Sequence, residues 1–211
     1  MIRFVPSQLR HLLCLGAHSD DIEIGAGGLV LRLLREHPGL RVTWVVFSAN
    51  ASREAEARAS AAEFLQGATD PQVIVEHFRD GFFPSESDRI KERFESLKSA
   101  VSPDLILTHT RDDAHQDHRT IYALTWNTWR NHAVLEYEIV KYDGDLSRPN
   151  VYAPLSSEDV LRKIEILTTA FPSQAGKHWF DDETFRSILR LRGVECGARY
   201  AEAFFGRKVC L

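Results

Sequence analysis

A chain of 211 residues, 44% hydrophobic and 27% charged, is long enough for a sizeable core and has the balance of an ordinary globular protein, which sets aside disordered, collagen-like and membrane-embedded classes. The net charge of -4 comes without any long Lys/Arg run, so nucleic acid is disfavoured as a partner. Cys14, Cys196 and Cys210 are an odd number without a CxxC pair, which fits a reduced compartment and packing roles better than a disulfide framework.

The first 17 residues carry Arg3 and Arg10 ahead of the run from Leu12 to Ala17 and imitate a short signal peptide. The apolar run is too short for that role, and no segment approaches the ~18 to 20 apolar residues of a membrane span, so the expected location is cytoplasmic. Residues 11–17 instead read as a buried strand. Residues 21–37 read as a helix with Ile22, Leu29, Leu33 and Leu34 on one face, stopped near Pro38-Gly39. A second strand is expected over 41–47, an Ala/Glu/Arg-rich helix over 51–65 and a third strand over 72–78 after Asp70-Pro71. A helix over 88–100 is broken by Ser102-Pro103 before a fourth strand over 104–109, and another helix begins near His115. Then come a strand over 133–141, a turn over 142–145, a helix over 156–170 capped by Ser156, a helix over 181–192 and a closing strand over 200–209. Strand-length apolar runs alternating with helical periods predict an α/β fold: a mostly parallel sheet with helices on both faces, a Rossmann-like three-layer sandwich, as one domain over 1–211.

His18-Ser19-Asp20-Asp21 directly follows the first predicted strand, and His115-Gln116-Asp117-His118 lies shortly after the fourth. Taken singly, the acidic turn reads as a solvated helix cap and the histidines as a polar loop. Both, however, fall at carboxyl ends of strands, the edge where open α/β sheets bind ligands, so the two segments are expected to meet in one crevice. Catalytic zinc takes three protein ligands of imidazole nitrogen and carboxylate oxygen and leaves a position open. His18, Asp21 and His118 supply such a set. Asp20, between two ligands, then faces the open position as general base for a water at the metal. His115, three residues before His118, points to the same side and suits stabilising an oxyanion or protonating a leaving amine, with Asp117 as a candidate to orient it.

These residues carry a resemblance. The run from Ala17 to Gly28 resembles the opening signature of the PIG-L (LmbE-like) zinc-dependent N-acetylglucosaminyl deacetylases, and Asp113-Ala114-His115-Gln116-Asp117-His118-Arg119 resembles their second motif. Arg192-Gly193 followed by Tyr200-Ala201-Glu202-Ala203-Phe204 is a third similarity. The resemblance implies zinc on His18, Asp21 and His118, Asp20 as base, and His115 with Asp117 as acid or oxyanion partner. It implies hydrolysis of an N-acetyl amide on a small amino-sugar substrate of the kind found in glycolipid, thiol and antibiotic precursors. Arg53 with Glu56 resembles the family's Arg-x-x-Glu, implying a grip on substrate hydroxyls; a solvated helix face with local ion pairs is the other reading. Ser19 and Gln116 stand where the family usually has Pro, Asp113 where some members carry Tyr, and the stretch from Phe47 to Ala51 lacks the Gly-rich substrate loop.

Gly25-Ala26-Gly27-Gly28 lacks dinucleotide-loop spacing and reads as small residues packing a helix against the sheet. Lys177-His178-Trp179-Phe180 and Glu136-Tyr137-Glu138 read as core or rim, Trp126 and Trp129 as packing, and His109 as a strand end near the metal. The expected partner is a small N-acetylated molecule, with a homo-oligomer left open. Two rival functions remain: a two-metal phosphoesterase, for which only Asp112 and Asp113 are spare bridging carboxylates, and a non-catalytic metal-binding module, which would need neither Asp20 nor His115.

Overall fold

Every residue of β1 (His11–Gly16) is buried, and its side chains alternate between two clusters. Leu12 and Cys14 join one hydrophobic cluster and Leu13 and Leu15 the other, as a strand covered on both faces requires. The computed structural model describes residues 9–208; Arg3, Val209 and Cys210 lie outside them. The chain continues as α1 (Asp21–Glu36), β2 (Arg41–Val46), α2 (Ala51–Phe64), β3 (Gln72–Val75), a 3-10 turn (Phe83–Glu86), α3 (Ser87–Ala100), β4 (Leu105–His109) and α4 (Gln116–Thr128). It ends with β5 (Ala133–Tyr137), β6 (Val151–Leu155), α5 (Ser157–Ala170), a second 3-10 turn (Pro172–Gln174), α6 (Asp182–Cys196) and β7 (Tyr200–Gly206).

The seven strands form one sheet in the order β3-β2-β1-β4-β5-β7-β6. β1 to β5 are mutually parallel, and β7 runs antiparallel to both of its neighbours. Side chains of α1, α2, α5 and α6 build the cluster on one face, and those of α3 and α4 the cluster on the other. This is the three-layer α/β arrangement that the alternation of strand and helix patterns predicts.

The differences are local. The third strand ends at Val75 rather than 78, although the chain stays extended alongside β2, with the Glu76 and Phe78 N–H groups donating to Val46 and Phe47 carbonyls. The fifth ends at Tyr137 rather than 141, because Glu138 turns away to a two-pronged pair with Arg192 at 2.6 and 2.7 Å. β6 is not expected from the sequence, since Pro154 argues against a strand; at the outer edge of the sheet a residue without N–H is tolerated. α6 runs on through Gly193 to Cys196 rather than stopping at 192, and the closing strand stops at Gly206.

The glycines of α1 pack it tightly. A Cβ on Gly25 would lie 2.2 Å from the Tyr137 ring and one on Gly27 2.7 Å from Phe64, closer than carbon atoms approach. The N-terminus of α1, with its two aspartates, is thereby seated on the sheet.

Candidate active site

β1 leads into α1 toward β2, while its other neighbour is β4. The order of connection therefore reverses between β1 and β4, and a crevice opens at the carboxyl ends of those two strands. His18, Asp20 and Asp21 come from the β1–α1 junction, and His115 and His118 from the start of α4. These five and Arg53 line a cleft of about 730 Å³. Asp117 sits behind the cleft wall, fully buried.

The first segment is no solvated cap. Asp20 is the N-cap residue of α1, yet its side chain makes no capping hydrogen bond, and both aspartates are buried. Asp21 Oδ2 instead accepts the His18 backbone N–H at 2.6 Å, which folds the turn so that three donors converge. His18 Nδ1 lies 3.1 Å from His118 Nε2 and 3.4 Å from Asp21 Oδ2, and His118 Nε2 lies 3.5 Å from Asp21 Oδ1. Ligands at ~2.0–2.1 Å from a tetrahedral zinc stand about 3.4 Å apart, so these spacings suit one ion.

The outer nitrogens say which ring atoms are available. Asp113 Oδ2 accepts from His118 Nδ1 at 2.8 Å. His18 Nε2 faces Asp80 Oδ1 at 3.1 Å and Asp117 Oδ2 at 3.3 Å. Carboxylates thus hold the far N–H of each ring, as they do behind metal-ligating histidines, and the two near nitrogens point at one another. Two lone pairs at 3.1 Å repel unless a proton or a cation lies between them. Although burial opposes charge on His18, Asp117, Asp21 and Asp80 outweigh it and hold its pKa well above the ordinary imidazole value. Burial and His109 push His118 down to about 4. Asp21 stays well below the usual carboxylate range, because His118 and His109 overcome its burial. The cluster therefore calls for one positive charge beside a neutral imidazole, a demand that a proton or a metal cation would meet.

Three other potential donor groups share this space: His18, His115 and His118; His18, Asp80, His115 and Asp117; and Asp21, His109 and His118. In the second, the Asp117 oxygens already accept the Gly81 and Phe83 N–H groups. The His109 Nε2 lone pair already accepts the Ala17 N–H at 3.0 Å, and His115 Nδ1 accepts the Asp117 N–H at 3.2 Å. His18, Asp21 and His118 keep the donor atoms that face one another.

Asp20 Oδ1 pairs with Arg53 Nη2 at 2.9 Å. Burial pushes the Asp20 carboxyl above its usual value, against the pull of Arg53. The His115 ring stacks on His118 with centroids 4.6 Å apart, and burial together with neighbouring His18 lowers its pKa. The Asp117 carboxylate does not reach His115, contrary to the orientation expected of it: Oδ2 accepts the Gly81 N–H at 2.6 Å and Oδ1 the Phe83 N–H at 3.1 Å. Asp117 touches His115 only through its own backbone N–H. Gln116, in place of the usual Pro, donates to the Gly81 carbonyl. Together the two residues clamp a turn that needs glycine for its φ of 79° and that presents Asp80 to His18.

Asp80 and Lys141 line the cleft without being singled out in the sequence, and Asp113, noted there as a spare carboxylate, is instead the partner of His118. Asp113 reaches His118 by curling back over a loop, which no spacing rule encodes. Asp80 follows β3, so the strand-end rule that finds His18 would have found it. Lys141 pairs with Asp113 Oδ1 at 3.1 Å. Lys177 and Trp179 line the cleft while Phe180 is buried, and Trp129 is core.

Residues 13–129 match the family described as PIG-L: GlcNAc-PI de-N-acetylase. No curated protein sequence matches the chain. Among solved structures, N,N'-diacetylchitobiose deacetylase from Pyrococcus horikoshii superposes with a TM-score of 0.70 at 19% identity, over 95% of this chain and 84% of that one. Teicoplanin deacetylase in a zinc-inhibited form gives 0.71 at 14%, over 93% and 97%. GalB, the 4-carboxy-2-hydroxymuconate hydratase from Pseudomonas putida, gives 0.77 at 18%, over 96% and 98%. At these identities the likeness shows a shared fold that serves both deacetylases and a hydratase, so the reaction is argued from the site.

Proposed function

The chain belongs to the PIG-L family of de-N-acetylases, and from that premise we propose that it is a zinc-dependent hydrolase, one domain throughout, that removes an N-acetyl group from a small amino-sugar-type molecule. One observation carries the reading: His18 Nδ1, Asp21 and His118 Nε2 converge within 3.5 Å of one another in a cleft that also holds Asp20. Zinc bound by these three would supply Lewis acidity, polarising an amide carbonyl and making a water acidic enough to attack near neutral pH. Asp20 takes the proton of the attacking water. Its raised pKa makes it a stronger base than an exposed aspartate, so it gains affinity for that proton. His115 lines the same cleft, where its N–H would stabilise the developing oxyanion, and the proton taken up by Asp20 passes to the departing amine. Asp113 fixes the His118 ring and Asp117 the His18 ring, so neither imidazole needs to reorient during reaction. Acetate and a free amine result.

The rivals fit less well. Asp112 is largely exposed and paired with Arg111, and Asp113 is engaged by His118 and Lys141, so neither is placed to bridge two metals. A binding module gives no reason to keep Asp20 buried and unused as a cap. Among the described residues no helix is long and apolar enough to cross a membrane. Cys14 and Cys196 are free thiols, and we place the protein in the cytoplasm with a small N-acetylated molecule as its partner.

The test is metal analysis of purified protein together with amine release from a panel of N-acetylated sugars. About one zinc per chain and amine release are expected, with Asp20→Ala retaining zinc and losing activity. An active Asp20→Ala would remove Asp20 from its role, and a folded protein that takes no zinc would remove the whole reading.

A further inference from the structure

A carboxylate that serves as a base must keep one oxygen free and hold it still. Asp20 has no capping hydrogen bond to fix it; its support comes from α2. Arg53 Nη2 pairs with Oδ1 at 2.9 Å, which leaves Oδ2 for the reaction. Arg53 is itself gripped from behind. Its Nη1 donates to Glu56 Oε2 at 3.1 Å and to Ser173 Oγ at 3.2 Å, and its guanidinium lies 5.3 Å from the centroid of the Phe171 ring. The Arg53 side chain is only 16% exposed. Glu56 is fixed in turn by Ser173, whose N–H donates to Oε1 at 2.9 Å and whose hydroxyl donates to Oε2 at 2.6 Å. That hydroxyl also accepts from Gln174 Nε2 at 3.0 Å, so the single donor and both lone pairs of Ser173 are committed.

Resting on the deacetylase reading, we propose that Arg53 is a positioning residue, locked by Glu56 and Ser173, that aims the Asp20 carboxylate rather than gripping the substrate. Both terminal nitrogens of its guanidinium face protein partners, and a rigid fork held at both ends transmits geometry in a way a flexible ammonium does not. Ser173 lies outside the segment matched to the family. It begins the stretch that brings Gln174, Lys177 and Trp179 to the cleft. The base is thus held by the same segment that builds the substrate-facing wall.

The steady-state constants separate the two roles. A positioning residue supports the reacting group, so its loss lowers kcat; a substrate grip contributes binding, so its loss raises KM. Arg53→Met is expected to lower kcat about 100-fold, the scale of a misplacement of about 1 Å, with KM within about threefold of wild type and one zinc retained. Glu56→Gln and Ser173→Ala, neither of which lines the cleft, are expected to lower kcat about tenfold with KM unchanged, and Ser173→Thr to restore it by returning the hydroxyl. A higher KM in Arg53→Met with kcat intact, or wild-type kcat in both Glu56→Gln and Ser173→Ala, overturns the assignment. If the wild type releases no amine, the deacetylase reading fails by itself. The positioning claim is then decided by crystal structures of wild type and Arg53→Met: Asp20 turned away from its wild-type rotamer supports it, and Asp20 unmoved overturns it.

Discussion

At the scale of single residues, the centre works by dividing labour among carboxylates of the same type. Asp21 turns its oxygens toward the near nitrogens of His18 and His118, Asp20 faces the cleft, and Asp113 and Asp117 sit behind the histidines. Removing a carboxylate that orients a ligating imidazole typically costs 10- to 100-fold in metal affinity. Asp113→Ala, measured by competition with a zinc chelator, is therefore expected to weaken binding by that factor while the cleft stays intact; unaltered affinity would mean that His118 needs no orienting partner. The protonation states make a second prediction. The carboxylates that hold the His18 pKa well above the ordinary imidazole value favour its protonated form, whereas His118, pushed down to about 4, is neutral at pH 7, and Asp21, held well below the carboxylate range, is ionised. Ligation requires His18 to be neutral, so zinc binding expels about one proton, and affinity rises about tenfold per pH unit until the His18 pKa is passed. Calorimetry in buffers of different ionisation enthalpy measures that proton, and a binding heat independent of buffer would refute it. The meeting of the two His/Asp motifs in one cleft was legible because the strand pattern placed both at carboxyl ends of neighbouring strands. Asp113 was not, because its hydrogen bond depends on the path of a loop.

At the scale of elements, α1 is the piece on which the site depends, since its first turn carries Asp20 and Asp21 and its glycines bring it down on the sheet. A Cβ on Gly25 would meet three atoms of Tyr137 at 2.2 to 3.0 Å. That ring is buried, and its hydroxyl is tied to the Leu15 carbonyl at 2.7 Å, so it has no room to yield. Gly→Ala inside a helix gains about 0.5–1 kcal/mol from backbone entropy, but overpacking costs about 1–3 kcal/mol. Gly25→Ala is thus expected to be destabilising by about 1–2 kcal/mol, or roughly 2–8 °C in Tm at this chain length. Gly176→Ala, where a Cβ would meet nothing within 4 Å, is expected to stay within about 0.5 kcal/mol of wild type. Equal Tm changes in the two variants would show that the contact with Tyr137 carries no weight. Sequence patterns located the helices and the five parallel strands because burial on one helical face, or on both strand faces, writes a period into the chain. They failed for β6, where Pro154 obscures the strand signal and only a place at the sheet edge makes it admissible.

At the scale of the whole molecule, two regions of different provenance meet at the cleft. Residues 13–129, the segment shared with the family, supply the candidate zinc ligands, Asp20 and His115, while Lys141, Gln174, Lys177 and Trp179 come from the chain beyond it. Both hydrophobic clusters are built from strands and helices of the sheet sandwich and contain none of the candidate zinc ligands. A zinc ion bound as proposed would therefore add to a fold that already stands. Chelated protein is expected to unfold in a single cooperative transition, unlike a zinc finger. Zinc at about 100 times its Kd stabilises by about 2.7 kcal/mol, which at roughly 2–4 °C per kcal/mol raises Tm by about 5–10 °C. His118→Ala, which removes one of the three donors, is expected to unfold cooperatively as well but to gain little or nothing from the same zinc. Scanning calorimetry of the four samples separates the outcomes. A rise of equal size in His118→Ala would place the ion elsewhere, and loss of the cooperative transition on chelation would make the metal part of the fold rather than an occupant of it.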